Sequence, residues 1–346
     1  MRRAASAANR PPCQPPSACA STGRAWAQAP RWRRPHGHEG DHRRTGHDRS
    51  AGHRIRLGAC ATVAATARRR ACRSRLVGTG GVIGVLPTVS VVIPVKDDAE
   101  RLRVCLAALG RQAVTPLEVV VVDNGSSDGG AATAAVAAAG GARLVREERP
   151  GIPAAAAAGY DAAVGEVIAR LDADSIPGPG WVREVARAVA SRPAVGAVTG
   201  GAEFSGGPWG LRRVGAAAYL AAYHVALGPA LGHPPLFGSN LAMRRTAWEA
   251  VRFAVHRGDA ELHDDLDLSF HLGRLVGVAY APGITVRISH RPLTDAASLR
   301  RRFARGFRTV FTHWPAELPW HRWRAVVARR RAARGRIVLD RRCEAD

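Results

Sequence analysis

Val167-Ile168-Ala169-Arg170-Leu171-Asp172-Ala173-Asp174 is the stretch on which the reading of this chain turns. A short apolar run stops on two carboxylates, and Pro177-Gly178-Pro179-Gly180 then turns the chain. The composition is that of a strand buried in a parallel sheet. Two earlier runs have the same character. Val89-Ser90-Val91-Val92-Ile93-Pro94 is one, and Leu117 to Val122 is the other, ending in Asp123-Asn124-Gly125-Ser126-Ser127-Asp128.

Helical signals separate the strands. Asp97 with Glu100 three residues on is a helix-start pattern. Leu102, Cys105, Leu106 and Leu109 follow at i, i+3, i+4, i+7. An Ala-rich helix runs to about Ala139, Ala142 to Val145 reads as a third strand, and Ala154 to Ala163 as a helix before the Val167 strand. Strands and helices alternating at this spacing predict an α/β fold with a parallel sheet and right-handed crossovers. Beyond Asp174 the spacing predicts a helix over Trp181 to Ala190, strands at Val195 to Thr199, Gly238 to Met243 and Gly277 to Tyr280, and a basic helix from Leu299 to Arg308. Within the apolar segment Gly210 to Leu231, the part from Val214 is just long enough to span a membrane. Ala and Gly dominate it, and His224 and Pro229 interrupt it, so its transfer free energy is weak. An acceptor-side or interfacial helix is the expectation.

The net charge of +23 over 346 residues sits mostly at the ends. Residues 1–86 hold 17 arginines against three acids, and residues 319–346 hold nine against three. Lys96 is the only lysine. Surfaces that bind nucleic acid usually mix Lys and Arg, because both neutralise phosphate. The arginine bias reads instead as codon bias in the tails, so no specific nucleic-acid partner is expected. The head, 1–86, has Pro-rich and His/Arg-rich stretches without apolar periodicity, and is expected to be disordered or to precede a true start near Val77 to Val85. No apolar region follows its first arginines, so no secretory signal is expected. The expected organisation is this basic head, a catalytic domain over 87–319 and a basic tail over 320–346. Of six cysteines none forms a zinc spacing, and Cys105 falls on a helix's apolar face.

The acids carry the functional signal. Apolar runs stop at, or close to, Asp123, the Asp172/Asp174 pair, and the group Asp264, Asp265 and Asp267. In an open α/β sheet ligands bind beyond the carboxyl ends of the strands. Carboxylates gathered there repel one another unless a cation stands between them. A hard divalent ion, Mn2+ or Mg2+, suits such oxygen ligands and a diphosphate. Singly, each acid has a plain alternative: Asp172 and Asp174 as a solvated turn, Asp123 as a helix cap.

Together, Val91-Val92-Ile93-Pro94-Val95-Lys96-Asp97-Asp98, Val120-Val121-Val122-Asp123-Asn124-Gly125-Ser126-Ser127-Asp128, Leu171-Asp172-Ala173-Asp174 and Asp264-Asp265-Leu266-Asp267-Leu268 resemble the family 2 glycosyltransferases of the GT-A fold, in order and in separation. The resemblance spans about Pro87 to Gly306 and implies a Rossmann-like, mixed but mainly parallel sheet flanked by helices. It implies an inverting transfer of sugar from a nucleoside-diphosphate sugar to a hydroxyl of a glycan, lipid or small molecule. Carried over residue by residue, Pro94, Val95 and Asp97 would line the base, and Asp123 would bond the base or ribose. Asp174 would ligate the metal, with Asp172 beside it. Asp265, paired with Asp264, matches the general base. Gly238 and Asn240 resemble the acceptor-side strand. His290 would be a further metal or diphosphate contact, against an ordinary loop histidine. Arg301, Arg302 and Arg305 would reach the diphosphate, against a solvated helix face. A cytoplasmic enzyme, peripheral at the inner face of the membrane, follows from where nucleotide sugars are made. One departure stands out. Where the family often has Ala-Arg-Asn-x-Gly, this chain has Ala155-Ala156-Ala157-Ala158-Gly159, which removes a polar contact to the donor.

Three alternatives compete. A sugar-nucleotide nucleotidyltransferase would need a Gly-rich phosphate loop, and Val95-Lys96-Asp97-Asp98 has no glycine. A degenerate, non-catalytic binder fits Ala156 and Ala157 but not the retained Asp123, Asp172, Asp174 and Asp265. A nucleic-acid binder rests on the charged ends alone.

Overall fold

The runs that read as strands are buried on both faces. In the computed structural model, which describes residues 85–205, 209–289, 296–329 and 331, Val91, Val92 and Ile93 of β1 (Val89–Val95) have no solvent exposure. β1 pairs in parallel with β2 (Glu118–Asp123) on one side and β4 (Val167–Arg170) on the other, and β2 pairs with β3 (Arg143–Arg146). Side chains alternate between two cores. Val91, Ile93 and Val121 meet α1 (Ala99–Leu109) and α4 (Trp181–Ala190). Val92, Val120 and Val122 meet α3 (Ile152–Ala162), α6 (Arg245–Val251) and α7 (Asp264–Leu275). Helices on both faces explain why these strands read as unbroken apolar runs rather than alternating ones. The Ala-rich α3 lies so close to the sheet that a Cβ on Gly159 would stand 2.3 Å from a Val92 methyl. α2 (Ala131–Ala139) crosses from β2 to β3.

The sheet is mixed, with the order β3-β2-β1-β4-β7-β6-β8-β5. β7 (Leu241–Arg244) runs antiparallel between β4 and β6 (Val195–Phe204), β8 (Gly277–Ile288) runs parallel to β6, and the two-residue β5 (Ile176–Pro177) pairs with the edge of β8. β6 and β8 are longer than their sequence signals. Both run on because a register shift between Thr199 and Gly201 absorbs the irregularity that Gly200 and Pro282-Gly283 introduce. The strand expected from Gly238 begins at Leu241.

Two expectations are corrected here, at the Asp264 group and at the C-terminal bound of the domain. The Asp264 group does not end a strand: it forms the first turn of α7, where the helix dipole favours negative charge. α5 (Trp209–Leu231) is long and apolar enough between Arg212 and Leu231 to cross a membrane. Ala216, Leu220 and Leu231 nevertheless pack into the domain, so one face of it belongs to the protein body. The ordered body also continues past 319. After α8 (Ala296–His313), a helix over 319–329 buries Arg322, which donates to the carbonyls of Leu231 and Phe270. The expected disorder of the head lies outside the described residues, apart from its last two positions.

Candidate active site

The carboxyl ends of β1 and β4 open into one cleft of about 530 Å³. Pro94, Val95, Lys96 and Asp98 come to it from β1, and Arg170, Asp172 and Asp174 from β4. Gly238 and Ser239 enter from the turn before β7, His263, Asp264 and Asp265 from the start of α7, and Arg301, Arg302 and Arg305 from α8. Two strand ends, a turn and two helices from distant parts of the chain thus meet at the reversal of strand direction, where an open sheet binds its ligands.

Arg170 organises the floor. It is buried, its guanidinium reaches Asp172 at 3.1 Å, and it bonds Asp264 directly. Ser239 donates its hydroxyl proton to Asp172. Asp265 is buried and accepts the Gly238 N–H at 2.8 Å on one oxygen and His263 Nδ1 at 2.6 Å on the other. A Cβ on Gly238 would lie 3.2 Å from both Arg170 and Asp265, so the glycine leaves room for that contact.

The charges are poised unequally. Burial and the negative charges of Asp172 and Asp98 push the Asp174 carboxyl up to about 6. Burial also pushes Asp264 up, against the pull of Arg170. In Asp265 burial acts upward too. The charge and hydrogen bond of His263, with Arg170 and the Gly238 N–H, outweigh it and hold the group below the ordinary carboxylate value. Burial would lower His263, but the Asp265 carboxylate holds it above its usual 6.5. Each group thus favours the charged form of the other.

Residues 90–251, from β1 to the end of α6, match the model of Glycosyl transferase family 2. That segment, just under half of the chain, is similar to the family 2 glycosyltransferases. Among solved structures, glucosyl-3-phosphoglycerate synthase from Mycobacterium tuberculosis, in complex with Mn2+, uridine diphosphate and phosphoglyceric acid, is 24% identical, with 66% of this chain and 83% of that chain covered and a TM-score of 0.45. The same enzyme with Mg2+ and uridine diphosphate is 23% identical, over 66% of this chain and 83% of that chain, with a TM-score of 0.44. A mycobacterial protein is 24% identical, over 63% of this chain and 73% of that chain, also at 0.44. No curated protein matches the chain.

The family's motifs do not all reach the cleft. Asp97, at φ 52°, turns its carboxylate to the N–H and hydroxyl of Ser127, tying the loop after β1 to the loop after β2. Asp123 is buried and accepts the Ser126 hydroxyl at 2.5 Å; a Cβ on Gly130 would lie 2.7 Å from its oxygen. Asn240 has no exposure. Its amide donates to the carbonyls of Gly201 and Ile284, and its oxygen accepts the Trp181 indole N–H. In this structure Asp97 and Asp123, expected at the nucleotide, shape loops, and Asn240, expected on the acceptor-side strand, pins strands. Pro94, Val95, Asp172, Asp174, Gly238, Asp264 and Asp265 line the cleft, and Arg301, Arg302 and Arg305 face it rather than solvent alone. His290 lies outside the described residues. Ala156 and Ala157, standing where the family often has Arg and Asn, are buried against Trp248 and Leu268 and line a second, much smaller void.

Arg170, His263, Tyr219 and Tyr223 are among the cleft residues that escaped the sequence reading. Arg170 had a usable signal. An arginine inside a strand that reads as fully buried demands a carboxylate partner. Tyr219 and Tyr223, spaced i, i+4 in an apolar helix, gave none.

Proposed function

We propose that this chain transfers a sugar from a nucleoside-diphosphate donor to a hydroxyl acceptor with inversion at the anomeric carbon. Asp265 is the general base, and Asp172 and Asp174 hold Mn2+ or Mg2+. The observation that carries this reading is the meeting of Asp172, Asp174, Asp264 and Asp265 with four arginines in one cleft. The donor set fits a divalent cation, because the Asp174 carboxyl is crowded by like charge that a cation would relieve. When bound, that ion supplies Lewis-acid neutralisation of the departing diphosphate. Arg301, Arg302 and Arg305 add positive charge on the same side, and Pro94 and Val95 offer an apolar edge to the base. Asp265, kept ionised by His263, takes the acceptor's proton as the hydroxyl oxygen bonds to the anomeric carbon and the bond from that carbon to the diphosphate oxygen breaks. Asp97, Asp123 and Asn240 serve the site by holding its loops and strands. The functional unit is the domain over 87–319 together with the helix at 319–329.

General-base catalysis contributes roughly 10²–10⁴-fold, so Asp265→Asn should lower kcat by about that factor with little change in donor affinity. Asp174→Ala should abolish the Mn2+-dependent part of nucleoside-diphosphate binding in calorimetry. Unchanged turnover in Asp265→Asn would remove that residue from the base role.

A non-catalytic nucleotide-sugar binder is the second reading, favoured by the buried Ala156 and Ala157. Donor hydrolysis with Mn2+ separates the two. The acceptor side supports attachment at the cytoplasmic face of a membrane. Phe303, Phe307 and Phe311 stand exposed at helical spacing on the Arg-rich α8, and Trp320 and Trp323 are exposed on the next helix.

A further inference from the structure

Asp265 and Asp267 are two residues apart on α7 and so point to opposite sides of it. Asp265 serves the cleft. Asp267 faces three histidines with no part in the chemistry above. His256 Nδ1 stands 2.7 Å from Asp267 Oδ1, His313 Nε2 2.9 Å and His271 Nε2 3.6 Å from the same oxygen. The four ligand atoms lie within 4.8 Å of one another. Asp267 Oδ2 accepts the backbone N–H of His256, which fixes the orientation of the carboxylate. The His313 ring stacks on Phe270 at 4.2 Å, which fixes that imidazole.

As a purely hydrogen-bonded hub the cluster is incomplete. Two rings reach Oδ1 at hydrogen-bond distance, but His271 Nε2 is buried without a hydrogen-bond partner, which is unfavourable for a polar atom removed from water. As a set of metal ligands it is complete. In a tetrahedral site with metal–ligand bonds of 2.0–2.2 Å, ligand atoms stand roughly 3.3 Å apart. The three nitrogens stand 2.7, 2.9 and 3.6 Å from Oδ1, on either side of that separation and within about 0.6 Å of it. We propose that His256, Asp267, His271 and His313 form a zinc site, separate from the catalytic carboxylates. Three imidazoles and one carboxylate select a borderline ion such as Zn2+ over the hard Mn2+ or Mg2+. His256 is 41% exposed, against 14% for His271 and 5% for Asp267 and His313, so the ion enters past His256. The site is structural: four protein ligands fill a tetrahedral shell and leave no position for substrate. It joins the 252–263 loop, α7 and the end of α8, and so anchors the helix that carries Arg301, Arg302 and Arg305 into the cleft.

The test uses the full chain without an affinity tag, stripped with a chelator, desalted and titrated with ZnCl2. The head carries five histidines of its own, so the result is read as the difference from His256→Gln and from His256→Gln/His271→Gln. The wild type is expected to retain one more equivalent of zinc through desalting than either variant, and to gain at least about 4 °C in Tm from it. Asp172→Asn/Asp174→Asn, which disables the cleft, should keep that equivalent. Co2+ in its place should give the intense visible bands of a tetrahedral site, lost in the single and double His variants. Equal zinc retention by wild type and His256→Gln, or loss of the equivalent in the cleft variant, overturns the proposal and leaves a hydrogen-bonded cluster. The single variant at the half-exposed position decides the matter even if the double variant does not fold.

Discussion

Arg170 shows how much rests on one side chain. Its guanidinium is 3% exposed, lies between Asp172 and Asp264, and leaves its Nε without a partner. A charge so deeply placed is retained only because the carboxylates around it need it, and they are equally dependent on it. Replacing it with a well-shaped apolar residue, Arg170→Leu, strands Asp264 as a buried uncompensated acid and takes from Asp172 its cationic partner. The expected loss of stability is about 3–5 kcal/mol, read from the urea midpoint. Adding Asp264→Asn should recover part of it, because the stranded charge is then gone. An Arg170→Leu protein as stable as wild type, with no effect of the second change, would show that the pair contributes nothing to the fold.

At the scale of elements, the sequence is most readable where an element has a simple environment. β1, β2 and β4 are apolar because helices cover both faces, and α1 shows its periodicity because one face meets the core. α7 was not legible, because its first turn is Asp264-Asp265-Leu266-Asp267, charged side chains buried by partners that lie far away in sequence. Asn240 was read through the family pattern alone; it stands just before β7, and its amide bonds the backbone of β6 and β8, which no local pattern shows. The cleft's acids were legible as a group, but Asp123 and Asp97 were not separable from it, since a short acid that closes a loop looks the same as one that binds a nucleotide. α8 was read as basic, and its second property appears only on the folded helix. Phe303, Phe307 and Phe311 are 59%, 63% and 61% exposed, along one line of the surface. Such a line beside arginines favours the interface of an anionic bilayer. Phe303→Ser/Phe307→Ser/Phe311→Ser should weaken sedimentation with phosphatidylglycerol vesicles by at least about tenfold while donor hydrolysis in solution is unchanged. Equal vesicle binding by the two proteins would remove α8 from the contact.

Across the whole molecule, His233 couples the C-terminal helix to the core. It follows α5, its Nδ1 donates to the Pro234 carbonyl, and its Nε2 accepts from Arg322 at 3.2 Å. The ring packs so closely on α7 that a Cβ on Gly273 would stand 1.9 Å from it. Arg322 in turn pairs with Glu317 and holds the ends of α5 and α7. A proton on His233 would break this arrangement, because Nε2 would face the guanidinium as a second donor. Burial, with the charges of Arg322 and Arg329, therefore lowers its pKa from 6.5 to about 4. The sign follows from linkage. Above pH 6.5 the ring is neutral whether the chain is folded or not, and it contributes no pH dependence. As pH falls from 6.5 to 4, the unfolded chain takes up a proton that the folded chain refuses, and stability falls by on the order of 3 kcal/mol. Below pH 4 both states are protonated and the loss levels off. Two cleft groups act the other way. Asp174, raised to about 6, favours the folded state as it gains its proton on acidification. His263, raised above 6.5, gives stability that is present at low pH and lost as pH rises through its folded value. Both remain in His233→Gln, so the difference between wild type and that variant isolates the buried ring. Urea midpoints taken from pH 7 to pH 4 should show the wild type losing stability relative to His233→Gln through this window. Parallel curves would mean that His233 is protonated in the folded molecule, and that the junction of α5, α7 and the 319–329 helix is open to water.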